Sequence, residues 1–111
     1  ENADLSKVKT HYDYEEVLNK DSDIDIRFTS YWEMHNFKII KNIIKDQSYP
    51  GHAGEYETSV ALYLFPELID NHARVSNALD TESDASKEKG EIIYNDAIEQ
   101  YSKLINEMLK G

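Results

Sequence analysis

The apolar positions of this chain follow two different periods, and the changes between them mark its elements. Over residues 3–20, Leu5, Val8, Tyr12 and Leu18 recur at spacings near three and four, with Lys7, Lys9, Asp13, Glu15 and Glu16 between them. That pattern predicts a helix, which Asn2 or Asp4 can cap. Asp21-Ser22-Asp23 is a turn by composition. Ile24-Asp25-Ile26-Arg27-Phe28-Thr29-Ser30 then alternates apolar and polar side chains, and its branched and aromatic residues predict a strand. The strand runs into Tyr31-Trp32-Glu33-Met34, which holds the single tryptophan.

Helical spacing returns over residues 35–46, where Phe37, Ile40, Ile43 and Ile44 form a stripe opposite Lys38, Lys41, Asn42 and Lys45. After a loop through Pro50 and Gly51, a helix is expected over 55–65, with Val60, Ala61 and Leu64 inward and Pro66 ending it. Residues 67–70 suit a further turn, and 71–84 show no period. A long last helix is expected from Asp84-Ala85-Ser86 to Leu109, capped by Ser83 or Asp84. Ile92, Ile93, Ala97, Ile98, Tyr101, Leu104, Ile105 and Met108 make its apolar face. Gly90 inside it costs about 1 kcal/mol relative to alanine, which points to close packing there. The pattern leaves an imbalance, because one strand among several helices cannot satisfy its own backbone. Either further strands lie in the weak regions, or strands of another polypeptide complete a sheet.

Composition narrows the function. Apolar residues make up 40% of the 111, enough for one domain with a modest core. Twelve basic against 22 acidic residues leave a net charge of −10, which disfavours binding to a phosphate backbone, so no nucleic-acid partner is expected. The absence of cysteine removes disulfides and thiolate metal sites. No apolar run has the length of a membrane span and no leader opens the chain, so a soluble, cytoplasmic protein without a membrane partner is the expectation.

Candidate chemistry concentrates in Pro50-Gly51-His52-Ala53-Gly54-Glu55-Tyr56-Glu57-Thr58-Ser59. Two glycines flank a histidine able to change charge near neutral pH, and two carboxylates follow at a helix start. His52 is either a proton carrier or a helix-terminal histidine bonded to backbone. Glu55 suits dipole compensation in the first turn, while Glu57 is the better site residue. On one regular helix His52 and Glu57 would lie about 140° apart, so they converge only if His52 sits on the preceding turn. Trp32 and Tyr49 either line a substrate pocket or pack. His11, His35 and His72 lack partners at ligand spacing and read as surface or loop residues. Asp21, Asp23 and Asp25 lack the glycine and terminal glutamate of a calcium loop and read as a solvated turn. No glycine-rich phosphate loop or serine-nucleophile motif is present.

His52-Ala53-Gly54-Glu55-Tyr56-Glu57-Thr58-Ser59, followed by Leu62 and Pro66-Glu67-Leu68-Ile69, resembles the creatininase (creatinine amidohydrolase) family. Ser30-Tyr31-Trp32-Glu33 and Asp84-Ala85-Ser86-Lys87-Glu88-Lys89-Gly90-Glu91 are similar to the flanking family segments, so the likeness spans residues 28–110. The resemblance implies an α/β fold, a three-layer α/β/α sandwich around a mainly parallel sheet. It also implies a two-metal zinc or manganese site hydrolysing the C–N bond of a small-molecule amide, and a homo-oligomer, often a hexamer. His52 aligns with the family's proton-transfer histidine and Glu57 with the glutamate of its Glu-Thr-Ser triplet.

The family's main metal ligands belong to an N-terminal half that this sequence does not show. Glu1-Asn2 matches the last two residues of a ligand motif, which would make Glu1 a metal ligand. The resemblance therefore implies the C-terminal half of such an enzyme, as a subunit, cleavage product or fragment, with an N-terminal partner completing sheet and site. Two other readings stand beside it: a non-catalytic subunit serving assembly only, and an independent helical interaction module. Substrate and metal identity stay open.

Overall fold

The computed structural model describes residues 6, 11–20, 23–46, 49–70 and 84–110, and among them every regular element is helical. Among the described residues five α-helices follow one another: α1 (His11–Lys20), α2 (Tyr31–Met34), α3 (Phe37–Ile43), α4 (Glu55–Leu64) and α5 (Lys87–Lys110). A 3₁₀ turn, Pro66–Leu68, follows α4. The expected α/β sandwich is therefore corrected: no strand or sheet forms among the described residues.

The segment expected as a strand shows why. Residues 25–30 carry no regular hydrogen-bonded structure; the backbones of Ile26 and Phe28 are met by side chains of α1, and that of Ser30 by Glu33 of α2, instead of by a neighbouring strand. Asn19 Oδ1 accepts the Ile26 N–H at 2.6 Å, and Asn19 Nδ2 donates to the Ile26 carbonyl at 2.6 Å. The Glu15 carboxylate accepts the Phe28 N–H at 2.6 Å. One carboxamide thus supplies the donor and acceptor that a ladder partner would supply. Ile24 and Phe28 remain exposed, so the alternation has no sheet face to bury.

The expected helix over 35–46 is shorter than its pattern. Asn36 caps α3, its Oδ1 accepting the Lys38 N–H at 3.0 Å, and the helix closes at Ile43. Ile40 of the stripe is buried, whereas Phe37 is 68% exposed. The α4 helix matches its expected span to within a residue and stops before Pro66. Its buried face is Glu55, Tyr56 and Ser59, while Leu64, expected inward, is exposed. The expected helix over 3–20 overlaps α1, and its parts 3–5 and 7–10 lie outside the described residues, as do residues 71–83.

The α5 helix packs against α4, with closest approach at Gly90. A Cβ built there would lie 1.9 Å from the Ser59 carbonyl oxygen and 2.8 Å from Tyr63 Cβ, so hydrogen is the only side chain that fits. Two hydroxyls tie the junction: Ser59 Oγ accepts the Ser86 N–H at 3.1 Å, and Ser86 Oγ accepts the Lys89 N–H at 3.2 Å. Ser86 is thus the helix cap, later in the chain than Ser83 or Asp84. The core gathers on Tyr56, Ile40 and Ile93, with Tyr31, Ile43, Ile44, Tyr49 and Val60 half-buried around it. No described helix is long and apolar enough to cross a membrane.

Candidate functional site

The loop from Pro50 to Gly54 is shaped by two residues with left-handed backbone, Gly51 at φ 68° and Ala53 at φ 53°. Alanine pays a steric cost in that region, and local hydrogen bonds hold it there. The Glu57 carboxylate accepts the Ala53 N–H, and Thr58 Oγ1 donates to the Ala53 carbonyl at 3.2 Å. His52 lies on this turn and not on the helix, which brings its Nδ1 to 3.9 Å from Glu57 Oε2. The two side chains converge as the sequence required, yet the imidazole is 98% exposed. Glu57 is also spoken for: it fastens the turn that carries His52.

Glu55 does more than compensate a dipole. It is fully buried, its Oε1 accepts the backbone N–H groups of Lys45 at 2.7 Å and Asp46 at 2.9 Å, and its Oε2 meets Lys89 Nζ at 2.6 Å. Lys89 also donates to the Asp84 carbonyl at 2.8 Å. One carboxylate therefore joins the end of α3, the start of α4 and the first turn of α5. Removing one partner of such a buried pair costs about 3–5 kcal/mol, because the other charge is left without compensation.

Trp32 and Tyr49 are brought together through Tyr49 Oη, which donates to the Trp32 carbonyl at 2.6 Å. The Tyr49 ring meets Tyr56 edge-on with centroids 5.0 Å apart, and Tyr31 stacks on Tyr56 at 5.8 Å. Burial pushes the Tyr49 phenol up to about 12. Burial likewise raises Tyr56, helped by its phenol neighbours Tyr49 and Tyr31, and raises Tyr31, helped by the Glu57 charge. All three hydroxyls thus remain proton donors well above neutral pH.

His35 is a residue that sequence reasoning placed wrongly. It is buried at 5% exposure, not on the surface, and both ring nitrogens are engaged. Nδ1 lies 2.7 Å from Asp96 Oδ2, and Nε2 hydrogen bonds with the Tyr56 hydroxyl. Asp96 also accepts the Asn36 N–H at 3.0 Å and Gln100 Nε2 at 3.1 Å. Burial opposes its ionisation, but the hydrogen bonds from Gln100, His35 and Asn36 outweigh that and hold the carboxyl below its ordinary value. The signal for this network was in the pattern of α5: Asp96 and Gln100 interrupt the apolar face near Ile93 and Ala97, and a carboxylate there needs a partner. His11's side chain, His72 and Glu1 lie outside the described residues.

The described residues do not fit a metal centre, since no three His, Cys, Asp or Glu side chains among them converge on one point. Compared with protein-family models, curated proteins and solved structures, the chain finds no match.

Proposed function

We propose that this chain contributes one wall of a site that hydrolyses the C–N bond of a small amide, with His52 as the proton carrier. The observation that carries the reading is the presentation of His52: a 98% exposed imidazole on a turn that Glu57 fastens. A histidine held so that it reaches outward, not into its own core, can meet a bound molecule and pass a proton to it. The resemblance of residues 52–59 to the creatininase family supplies the reaction class. On this reading His52 delivers a proton to the departing nitrogen as the C–N bond breaks. Glu57 is a positioning residue that fixes the turn. Trp32 and Tyr49, joined by the Tyr49 hydroxyl, are the aromatic residues offered to the substrate. A zinc or manganese pair of the kind the resemblance implies would be held by residues outside those described, and a second copy or another segment of the same enzyme would complete the wall.

The test is turnover of a small amide, such as creatinine or formamide, by the assembly that contains this chain, supplied with zinc or manganese. His52→Ala should lower kcat by about 10²- to 10⁴-fold, the usual contribution of a positioned acid or base, while far-ultraviolet dichroism stays unchanged. Turnover equal to that of the parent overturns the assignment of His52. A second reading, a helical subunit serving assembly only, is favoured by the apolar side chains that α5 leaves outside, Ile105 at 54% and Leu109 at 80% exposure. It predicts a well-formed complex with no turnover and no metal uptake under the same conditions.

A further inference from the structure

Besides the face it turns to the core, α5 carries a second apolar face. Tyr94, Ile98, Ile105 and Leu109 are all exposed. At about 100° per residue they fall within about 60° of one another, on a stripe about 130° round the helix from buried Ile93. Ser102 and Tyr101 complete two four-residue ridges along it, Tyr94-Ile98-Ser102 and Tyr101-Ile105-Leu109. The charged residues of the same stretch are Asp96, Glu99, Lys103, Glu107 and Lys110, and all five lie within about 80° on the far side. Two lysines against three carboxylates leave residues 94–110 at −1, in a chain whose total is −10. The stripe is thus apolar, open to solvent and clear of the charge that covers the rest of the molecule.

We propose that this face pairs two copies of the chain, with their α5 helices antiparallel. A two-fold interface must be complementary to itself, and the stripe meets that condition. Turned end for end about the midpoint between Tyr101 and Ser102, it sets Ile98 opposite Ile105 of the partner copy and Tyr94 opposite Leu109 of the partner copy. Tyr63 of α4 widens the patch at Tyr94, with ring centroids 5.7 Å apart. The projecting end of one helix therefore lands on the aromatic pair at the base of the other. Charge agrees with the antiparallel sense. Glu99, the charge nearest the stripe, comes level with Lys103 of the partner copy, and Lys103 with Glu99 of the partner copy. A parallel pair would set Glu99 beside Glu99. Within one chain these two side chains already pair, at 3.3 Å, so both stand at the rim of the seam. Two copies of a −10 chain thus meet with no like charges between the ridges. The pairing goes beyond the amide-hydrolysis reading and forms whether or not His52 carries protons. When dilution parts the copies the stripe returns to solvent, and truncating it then costs the single chain little.

Sedimentation across a dilution series tests the pair. The parent should run at twice 12.9 kDa and fall to 12.9 kDa on dilution. Ile105→Asp puts a charge into the seam at a position exposed in the single chain. It should raise the midpoint concentration of association at least about tenfold while far-ultraviolet dichroism stays unchanged. Ile92→Asp, exposed on the same helix but off the stripe, should leave the midpoint in place. A parent that stays at 12.9 kDa at every concentration overturns the proposal and leaves the face to a different chain. Equal shifts in the two variants overturn it as well. Because the chain has no cysteine, single thiols report the direction of pairing. Under mild oxidation Ser102→Cys, beside the two-fold axis, should give a disulfide-linked pair. Leu109→Cys should not, because about 15 residues of rise, roughly 22 Å, separate it from its counterpart. Linkage at Leu109→Cys as fast as at Ser102→Cys overturns the antiparallel arrangement.

Discussion

The Asp96 and Glu57 carboxylates show how far one functional group can diverge in one small chain. Asp96 sits at 4% exposure with three donors around it, whereas the carboxylate of Glu57 stands at the surface beside an open imidazole. Because its folded carboxyl lies below the ordinary value of 3.8, the folded state binds its proton less readily than the unfolded chain does. The stability this contributes is present above the ordinary carboxylate range and is lost as pH falls through and below it. Urea midpoints should therefore drop on acidification below about pH 4, and Asp96→Asn, already weaker at neutral pH, should drop less over the same interval. Equal acid slopes in the two proteins would place the lability elsewhere. Of the candidate residues, His52, Glu57, Trp32 and Tyr49 stand out in the sequence because they lie in a distinctive motif or beside aromatic neighbours, and their roles remain proposals for the turnover test. His35 was not legible, since its partners Tyr56 and Asp96 are 21 and 61 positions away.

Among the elements, α4 and α5 depend most on one contact. Gly90 lets the two backbones touch, and replacing it with alanine sets two effects against each other. Helix propensity favours alanine by about 1 kcal/mol. The added methyl would fall 1.9 Å from the Ser59 carbonyl, a backbone atom that cannot rotate away. Overpacking of that kind costs about 1–3 kcal/mol or more. A 1.9 Å overlap with backbone puts the cost at the upper end of that range, so Gly90→Ala should lower the urea midpoint, with a net loss of about 2 kcal/mol; a stabilised variant would mean that the helices separate without penalty. The close packing at Gly90 was readable from a helix-breaking residue inside a long apolar period. The extended segment was misread because alternation reports which side chains could share a face, not whether a neighbour exists. Asn19, with 2.6 Å bonds to both sides of Ile26, takes the place of the strand that the alternation seemed to require.

Across the whole molecule, burial is lopsided. Ile93 is 1% exposed at the crossing with α4, while Ile98, Ile105 and Leu109 further along the same helix are more than half exposed. Truncating Ile93 to alanine should cost about 2–5 kcal/mol in urea unfolding, and truncating Ile105 only about 0.5 kcal/mol or less. Comparable losses at the two sites would show that α5 is covered along its length. The sequence by itself determined where α4 begins and ends, because an acidic first turn and a following proline act locally, and it placed the long last helix to within a few residues, with its cap at Ser86 and not at Ser83 or Asp84. It also determined that His52 must leave the helix to meet Glu57, since the rotation between them forbids convergence on one regular turn. Only the tertiary structure decided which apolar faces are covered, that Glu55 and Lys89 bind three segments together, and that a histidine read as a surface residue is the centre of the core's polar line. Those outcomes depend on contacts between residues distant in sequence, and a periodic pattern can offer a face for such a contact but cannot choose what meets it.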